Sequence, residues 1–302
     1  MAYTIGRRSL PDYASRFSRK DFTQPQLFAL LVLRQFHKTD YRGIVAIVAD
    51  NPTLCADLEL KKVPHFTTLQ KAEAKLLKDR HAADLLAQTV GLYFDLAPAS
   101  KTAGTPAEAQ PVEQAAADST GFELNHASKY FTRRRRKPRK NKGETRPQPV
   151  AYRRFAKLGI VVCCATHLVL SLNRGVGPKP DVDELCPLMT RFVPNAVPVQ
   201  LLADAGYDSE ENHVMLRDYL SIDSLIPATI GRPTDKLPTG GYRCLMQTDF
   251  DDEAYGQRWQ AETGMFMFKR HQGESLKARK RWTRHRELGL IAITHNIMIA
   301  HV

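Results

Sequence analysis

Three prolines and almost nothing to bury mark the stretch from Ala97 to Gln114, and this break divides the chain into two textures that one regular fold cannot accommodate. Before it, from Pro25 to about Leu96, the pattern is helical. Dense apolar runs cover Gln26–Phe36 and Gly43–Ala49, a third helical run covers Thr67–Leu77, and turn signals stand at Thr39-Asp40 and Asp50-Asn51-Pro52. After the break come short strand-like runs: Ala115–Ala117 into Phe122–Leu124, Leu158–Ala165, Leu168–Leu172, Val199–Ala203 and Leu225–Ala228. Helical stretches alternate with the later strands. Asp181-Val-Asp-Glu184 reads as a capping box opening a helix through Phe192, and Ser209 opens another through Tyr219 with Glu210 and Glu211 in its first turn. The expected architecture is α/β: a mixed sheet flanked by helices over 115–302, a linker at 97–114, and a small all-α module at 1–96.

Charge points to the partner. The chain has 302 residues, with 44 Lys and Arg against 32 Asp and Glu, a formal charge of +12 that favours a polyanion. Much of the excess lies in Arg133-Arg134-Arg135-Arg136-Lys-Pro-Arg-Lys-Asn-Lys142, a run too self-repelling to pack and read as a phosphate-binding arm. In the helical module, Thr67 or Thr68 is placed to cap the third helix, and Lys71, Lys75 and Lys78 recur along it at intervals that lay amines on one face. A basic helix after a turn is how a helix-turn-helix meets a major groove, although a merely solvated face has the same spacing. The cysteines number five, with no C-x-x-C pair, which suits a reducing compartment, argues against a zinc module and makes them small core residues. The N-terminal residues lack the apolar core of a secretory signal, and Leu288–Val302 is too short for a bilayer and reads as a buried amphipathic helix. A cytoplasmic protein without membrane contact is expected.

Two sets of residues carry chemistry. On one continuous helix, Tyr255, Arg258, Glu262 and Lys269 would fall within roughly a 60° arc, joining a carboxylate to two cations and a phenol. Taken alone, an Arg four residues before a Glu is a surface pair worth about 0.3–0.5 kcal/mol, so partners elsewhere must decide its meaning. Two aspartates are such partners. Asp118 opens Asp-Ser-Thr-Gly121 within or at the end of the first strand, and Asp204 closes the strand Val199–Ala203 before the turn Ala205-Gly-Tyr-Asp-Ser209. A phosphoryl-transfer site with two divalent ions about 3.5–4 Å apart needs carboxylates converging from several elements in this way.

With these motifs the chain resembles the DDE insertion-sequence transposases that carry a Tyr-Arg-Glu-Lys signature. Tyr255, Arg258, Glu262 and Lys269 fit that signature without a gap, Asp118–Gly121 and Ala203–Ser209 look like the two aspartate motifs, and Pro64–Leu69 looks like the segment before a helix of the family's N-terminal region. The resemblance implies an RNase H-like catalytic fold that cleaves transposon ends and joins the freed 3′ hydroxyl to target DNA. Asp118, Asp204 and Glu262 would bind Mg2+ or Mn2+, two ions in all. Arg258 and Lys269 would hold the DNA backbone near the cut, and Tyr255 would pack against or donate to a phosphate. The implied partners are inverted-repeat ends, target DNA and a second copy in a synaptic homodimer, at the nucleoid. Some relatives have a β insertion before the glutamate helix with a tryptophan that takes a flipped base. Here Thr229–Asp252 is short and has no Trp, with Tyr242 the candidate for that place. Gly264 marks a bend after Glu262. Two other classes share these features: a DNA-binding regulator that has lost catalysis, and a metal-dependent nuclease that cuts without joining.

Overall fold

The computed structural model describes residues 1–96, 112–124, 155–191, 196–229 and 236–301. Among them, α1 (Ala2–Ser9), α2 (Gln24–Phe36), α3 (Tyr41–Ala49), α4 (Pro52–Asp57), α5 (Phe66–Leu76) and α6 (Asp79–Leu96) precede the sheet. The turn signals act as caps: Asp40 accepts from Arg42 and Gly43 at the start of α3, and Asn51 accepts from Leu54 ahead of Pro52 in α4. Helix α5 starts at Phe66, two or three residues earlier than a Thr67 or Thr68 cap implies. His65, not Thr67 or Thr68, is its N-cap, with Nδ1 accepting from the Thr67 N–H, and the helix ends at Leu76, so Lys78 lies beyond it while Lys71 and Lys75 are exposed upon it.

The sheet contains β1 (Val112–Leu124), β2 (Phe155–Cys163), β3 (Val169–Gly177), β4 (Pro198–Ala203), β5 (Asp223–Leu225) and β6 (Ser275–Leu276). Its order is β3-β2-β1-β4-β5, with β1, β2 and β3 antiparallel, β4 and β5 parallel to β1, and β6 parallel to the far end of β1. This is a mixed sheet of the kind an RNase H-like domain has. Strand β1 begins before the expected domain start: Val112 pairs with Pro198 and Gln114 with Gln200, so Val112–Gln114 are strand and not linker. Alternation along β1 sends Ala116 into one core and Ala115 and Ala117 into another, so both faces are covered.

One face is covered by α7 (Leu185–Met189), by Leu216 in the turn that follows α8 (Glu210–Val214), and by Val90 of α6. The capping box at Asp181–Glu184 does not form: Val182–Glu184 is a 3-10 turn, and Asp181 makes no side-chain cap. Ser209 does cap α8, accepting from Asn212, and the chain continues through a π turn to Tyr219. Strand β5 lies two residues earlier than the apolar run Leu225–Ala228. Its polar residues are used by neighbours, Asp223 by Arg217 at 2.6 Å and by Gln200 at 2.9 Å, so hydrophobicity did not mark it.

The other face carries α9 (Gly241–Thr248), α10 (Asp252–Tyr255), α11 (Trp259–Gln272) and α12 (Arg281–Ile299) together with the N-terminal helices. Helix α12 is buried on all sides from Glu287 to Ile297 rather than amphipathic, because the sheet and the helices α2 and α6 enclose it. Asn296 ties these layers together: its amide donates to Thr89 of α6 and to the Val169 carbonyl of β3, and accepts from the Val169 N–H, at 2.8–2.9 Å. Leu30 and Leu69 belong to the same core as Leu158, Leu290 and Phe268. The helices of 1–96 therefore share the core of the sheet domain instead of closing on one of their own. The cysteines are free. Cys163 and Cys164 are core residues as expected, but Cys186 is exposed. No helix among the described residues is long and apolar enough to cross a membrane.

Candidate active site

The β1–β4 ladder ends at Ala117 opposite Ala203, so the next residues along the two parallel strands are Asp118 and Asp204. Alternation places Asp118 on the face of Ala116 and Asp204 on the face of Leu202, both in the core beneath α11 and α12. The two aspartates differ in setting. Strand β4 stops at Asp204, whose Oδ1 accepts the Gly206 N–H at 2.9 Å as the chain turns, whereas β1 runs on to Leu124 and leaves Asp118 in mid-strand. Asp118 Oδ1 accepts the Ser119 N–H at 2.7 Å.

Helix α11 brings Glu262 over this point and Lys269 farther along the same strand, its ammonium 6.0 Å from the centre of the Phe122 ring. The helix thus runs alongside β1. Seven helical residues rise about 10 Å and four strand residues about 13 Å, so the pairing of Glu262 with Asp118 and of Lys269 with Phe122 is metrically consistent. Gly264 permits this close approach: a Cβ there would meet Val162 Cγ1 at 3.3 Å. Helix α11 continues through it to Gln272.

The signature is not one continuous helix. Tyr255 ends α10, Gly256–Arg258 form a 3-10 turn, and α11 starts at Trp259. The expected common arc therefore fails in detail, but contact survives. Arg258 donates to Glu262 Oε1 at 2.8 Å, and its guanidinium lies 5.9 Å from the centre of the Tyr255 ring. Burial above all, with the Ser119 N–H and Arg258 opposing and the negative charges of Asp204 and Glu262 adding to it, pushes the Asp118 carboxyl up to about 6. Burial also raises the Tyr255 phenol, Arg258 opposing and Asp204 and Glu262 adding to the effect. Asp118, Asp204, Glu262, Arg258 and Tyr255 thus lie within electrostatic reach of one another.

A set of three hard oxygen donors from three elements suits Mg2+ or Mn2+ in its chemistry. Among the described residues no three acidic, histidine or cysteine side chains are close enough to hold one ion together, and Glu262 is turned to Arg258. The Arg258 guanidinium supplies positive charge where the carboxylates otherwise repel one another. Tyr242 does not reach the site: it lies on α9, its hydroxyl donating to Asp218 and its ring 5.2 Å from the Arg217 guanidinium. Arg133, Arg134, Arg135 and Arg136 lie outside the described residues.

Five residues that the sequence reading did not place at the site back the aspartates from the opposite face of β1. Lys157, buried in β2, donates to Asp181 at 2.6 Å and lies 3.2 Å from Glu184; the Ser119 hydroxyl donates to Asp181 at 2.6 Å; and Tyr207 is fully buried beside them. Burial disfavours the Lys157 charge, yet Asp181 and Glu184 hold its pKa above the ordinary value. One signal was available, a lysine set against the apolar run of a central strand. Asp181 carried none, since an acid ahead of a helix reads as a cap.

Two aspartates stand where a parallel strand pair ends, on a mixed sheet and beneath a helix that bears a glutamate, and this is the class of arrangement the fold defines. The family described as Transposase DDE domain matches residues 113–297, which span β1 through nearly all of α12. The chain belongs to that family, whose domains act on DNA and generally use divalent metals. Neither a curated protein nor a solved structure matches the chain.

Proposed function

We propose that this protein is a transposase of the Tyr-Arg-Glu-Lys type, which cleaves transposon ends and joins the 3′ hydroxyl to target DNA, with Asp118, Asp204 and Glu262 as its metal-binding triad. The observation that carries this reading is the placement of Asp118 and Asp204 one residue past the last β1–β4 pair, with the charge of Glu262 bearing on Asp118. Bound there, divalent ions would activate the attacking oxygen and stabilise charge on the leaving one.

The chain's own residues hold and orient the DNA. Arg258 leaves Glu262 for a phosphate oxygen once the carboxylate is otherwise neutralised, because a guanidinium pairs as well with phosphate as with carboxylate. Lys269, about two turns beyond Glu262 along α11, takes a phosphate farther from the cut, and Tyr255 packs against or donates to the backbone. The Arg133–Arg136 arm adds affinity without sequence preference, and Lys71 and Lys75 on α5, with Lys78 just past it, serve the transposon end. The functional assembly is a homodimer on paired ends.

A labelled duplex carrying the element's inverted repeats, incubated with Mg2+ and a target plasmid, separates the alternatives. Joined products are expected. Cutting without joining would identify a nuclease, and a stable complex with neither product a DNA-binding regulator.

A further inference from the structure

The reverse face of β1 holds a feature that neither DNA contact nor ordinary packing explains. Lys157 is an ammonium with its side chain only 7% exposed, and it is satisfied by Asp181 Oδ1 at 2.6 Å, Glu184 Oε1 at 3.2 Å and the Lys179 carbonyl at 2.7 Å. A buried ion cluster of this kind contributes little net stability compared with apolar residues of the same volume, because desolvation offsets its Coulomb gain. Its geometry gives it another use. Asp181 Oδ1 also accepts the Ser119 hydroxyl at 2.6 Å, and the N–H of that same Ser119 donates to Asp118 at 2.7 Å. The other oxygen, Oδ2, lies 3.5 Å from the position a Cβ on Gly206 would take, and the Gly206 N–H donates to Asp204 at 2.9 Å. One carboxylate therefore abuts both backbone segments whose amides orient the two aspartates. Between them the Tyr207 hydroxyl is buried without a hydrogen-bond partner, as is Glu184 Oε2, so the cluster retains an unused donor and an unused acceptor.

We infer that Asp181, fixed by Lys157, is a positioning residue that sets the orientation of Asp118 through Ser119 and of Asp204 through the Gly206 turn, and so sets the site's affinity for its divalent ions. The inference rests on the triad reading above. It acts on the arrangement of ligands and not on the chemistry: Asp181 and Ser119 face away from Glu262 and reach the aspartates only through the backbone. Hydrogen-bond partners that orient metal ligands command about 10- to 100-fold in affinity.

The test is direct Mn2+ binding to the full-length, DNA-free protein, read as loss of the free-ion electron paramagnetic resonance signal, for wild type and four variants. Asp118→Asn is expected to abolish the site. Ser119→Ala, which leaves the Lys157–Asp181 pair intact, and Asp181→Asn are each expected to weaken Mn2+ binding by about 10-fold or more, with melting temperature and circular dichroism of Ser119→Ala unchanged. Ser119→Thr keeps the hydroxyl and is expected to restore wild-type affinity. Wild-type affinity in Ser119→Ala, with binding lost in Asp118→Asn, would overturn the positioning role and leave the triad standing. Binding that survives Asp118→Asn would overturn the triad reading and this inference with it.

Discussion

At Asp118 the site works against the fold. An acid whose folded pKa lies above its unfolded value is favourable when protonated, and that contribution is lost as pH rises through the folded pKa. Here the shift is from 3.8 to about 6, so the ionised Asp118 destabilises the metal-free protein over that interval and above it. Asp118→Asn removes the charge. In chelator at pH 7 it should raise unfolding stability by roughly 1–2 kcal/mol, allowing for screening at a partly open carboxylate, and the gain should vanish near pH 4. Urea unfolding at the two pH values checks this, and equal stability of variant and wild type at pH 7 would contradict it. Asp118, Asp204 and Glu262 were legible as candidates because each stood in a motif with fixed spacing. Lys157 and Asp181 were not, because their relation exists only across the β2 strand and the loop after β3, some two dozen residues apart in sequence.

At the scale of elements, α11 owes its position to a missing side chain. Gly264 faces Val162 of β2, where a Cβ would stand at 3.3 Å, tight enough that the neighbour must give. Gly264→Val adds branched bulk at that contact and should destabilise the protein by about 1–3 kcal/mol through overpacking, while lifting Glu262 from the aspartates. Denaturant melts together with cleavage rates measure the two effects, and a variant of wild-type stability and activity would show that the approach is not tight. The sequence suggested a bend here because glycine lowers helix propensity, a property that cannot reveal what lies opposite. The break that does occur is earlier, where Asp251 caps α10 by accepting from Ala254 and the 3-10 turn at Gly256–Arg258 resets the helix before Trp259. Motif spacing read as a uniform 100° step misses that reset, although Arg258 still reaches Glu262 because both lie after Tyr255, within one turn of the α11 start.

Across the whole molecule, most helices and strands were recognisable from apolar periodicity, including β1, β2, β3 and β4, although β1 and β2 start earlier, at Val112 and Phe155, and β3 runs on past Leu172 to Gly177. Their grouping was not. Composition divides the chain at the proline-rich stretch, yet α2 and α6 pack on α12 and share its core, because an apolar face does not specify which other face will cover it. The C-terminal helix looked amphipathic for the same reason. The site stands on the part that was legible, the parallel pair β1–β4 and the helix α11, and the central claim is that three carboxylates brought there act as one metal-dependent centre. Mg2+-dependent cleavage of a labelled duplex bearing the element's ends, with binding followed by gel shift, tests it most directly. Asp118→Asn, Asp204→Asn and Glu262→Gln are each predicted to bind the duplex at least as tightly as wild type, since each removes a negative charge facing phosphate, and to lose cleavage entirely. Cleavage at the wild-type rate by any one of the three would contradict the account.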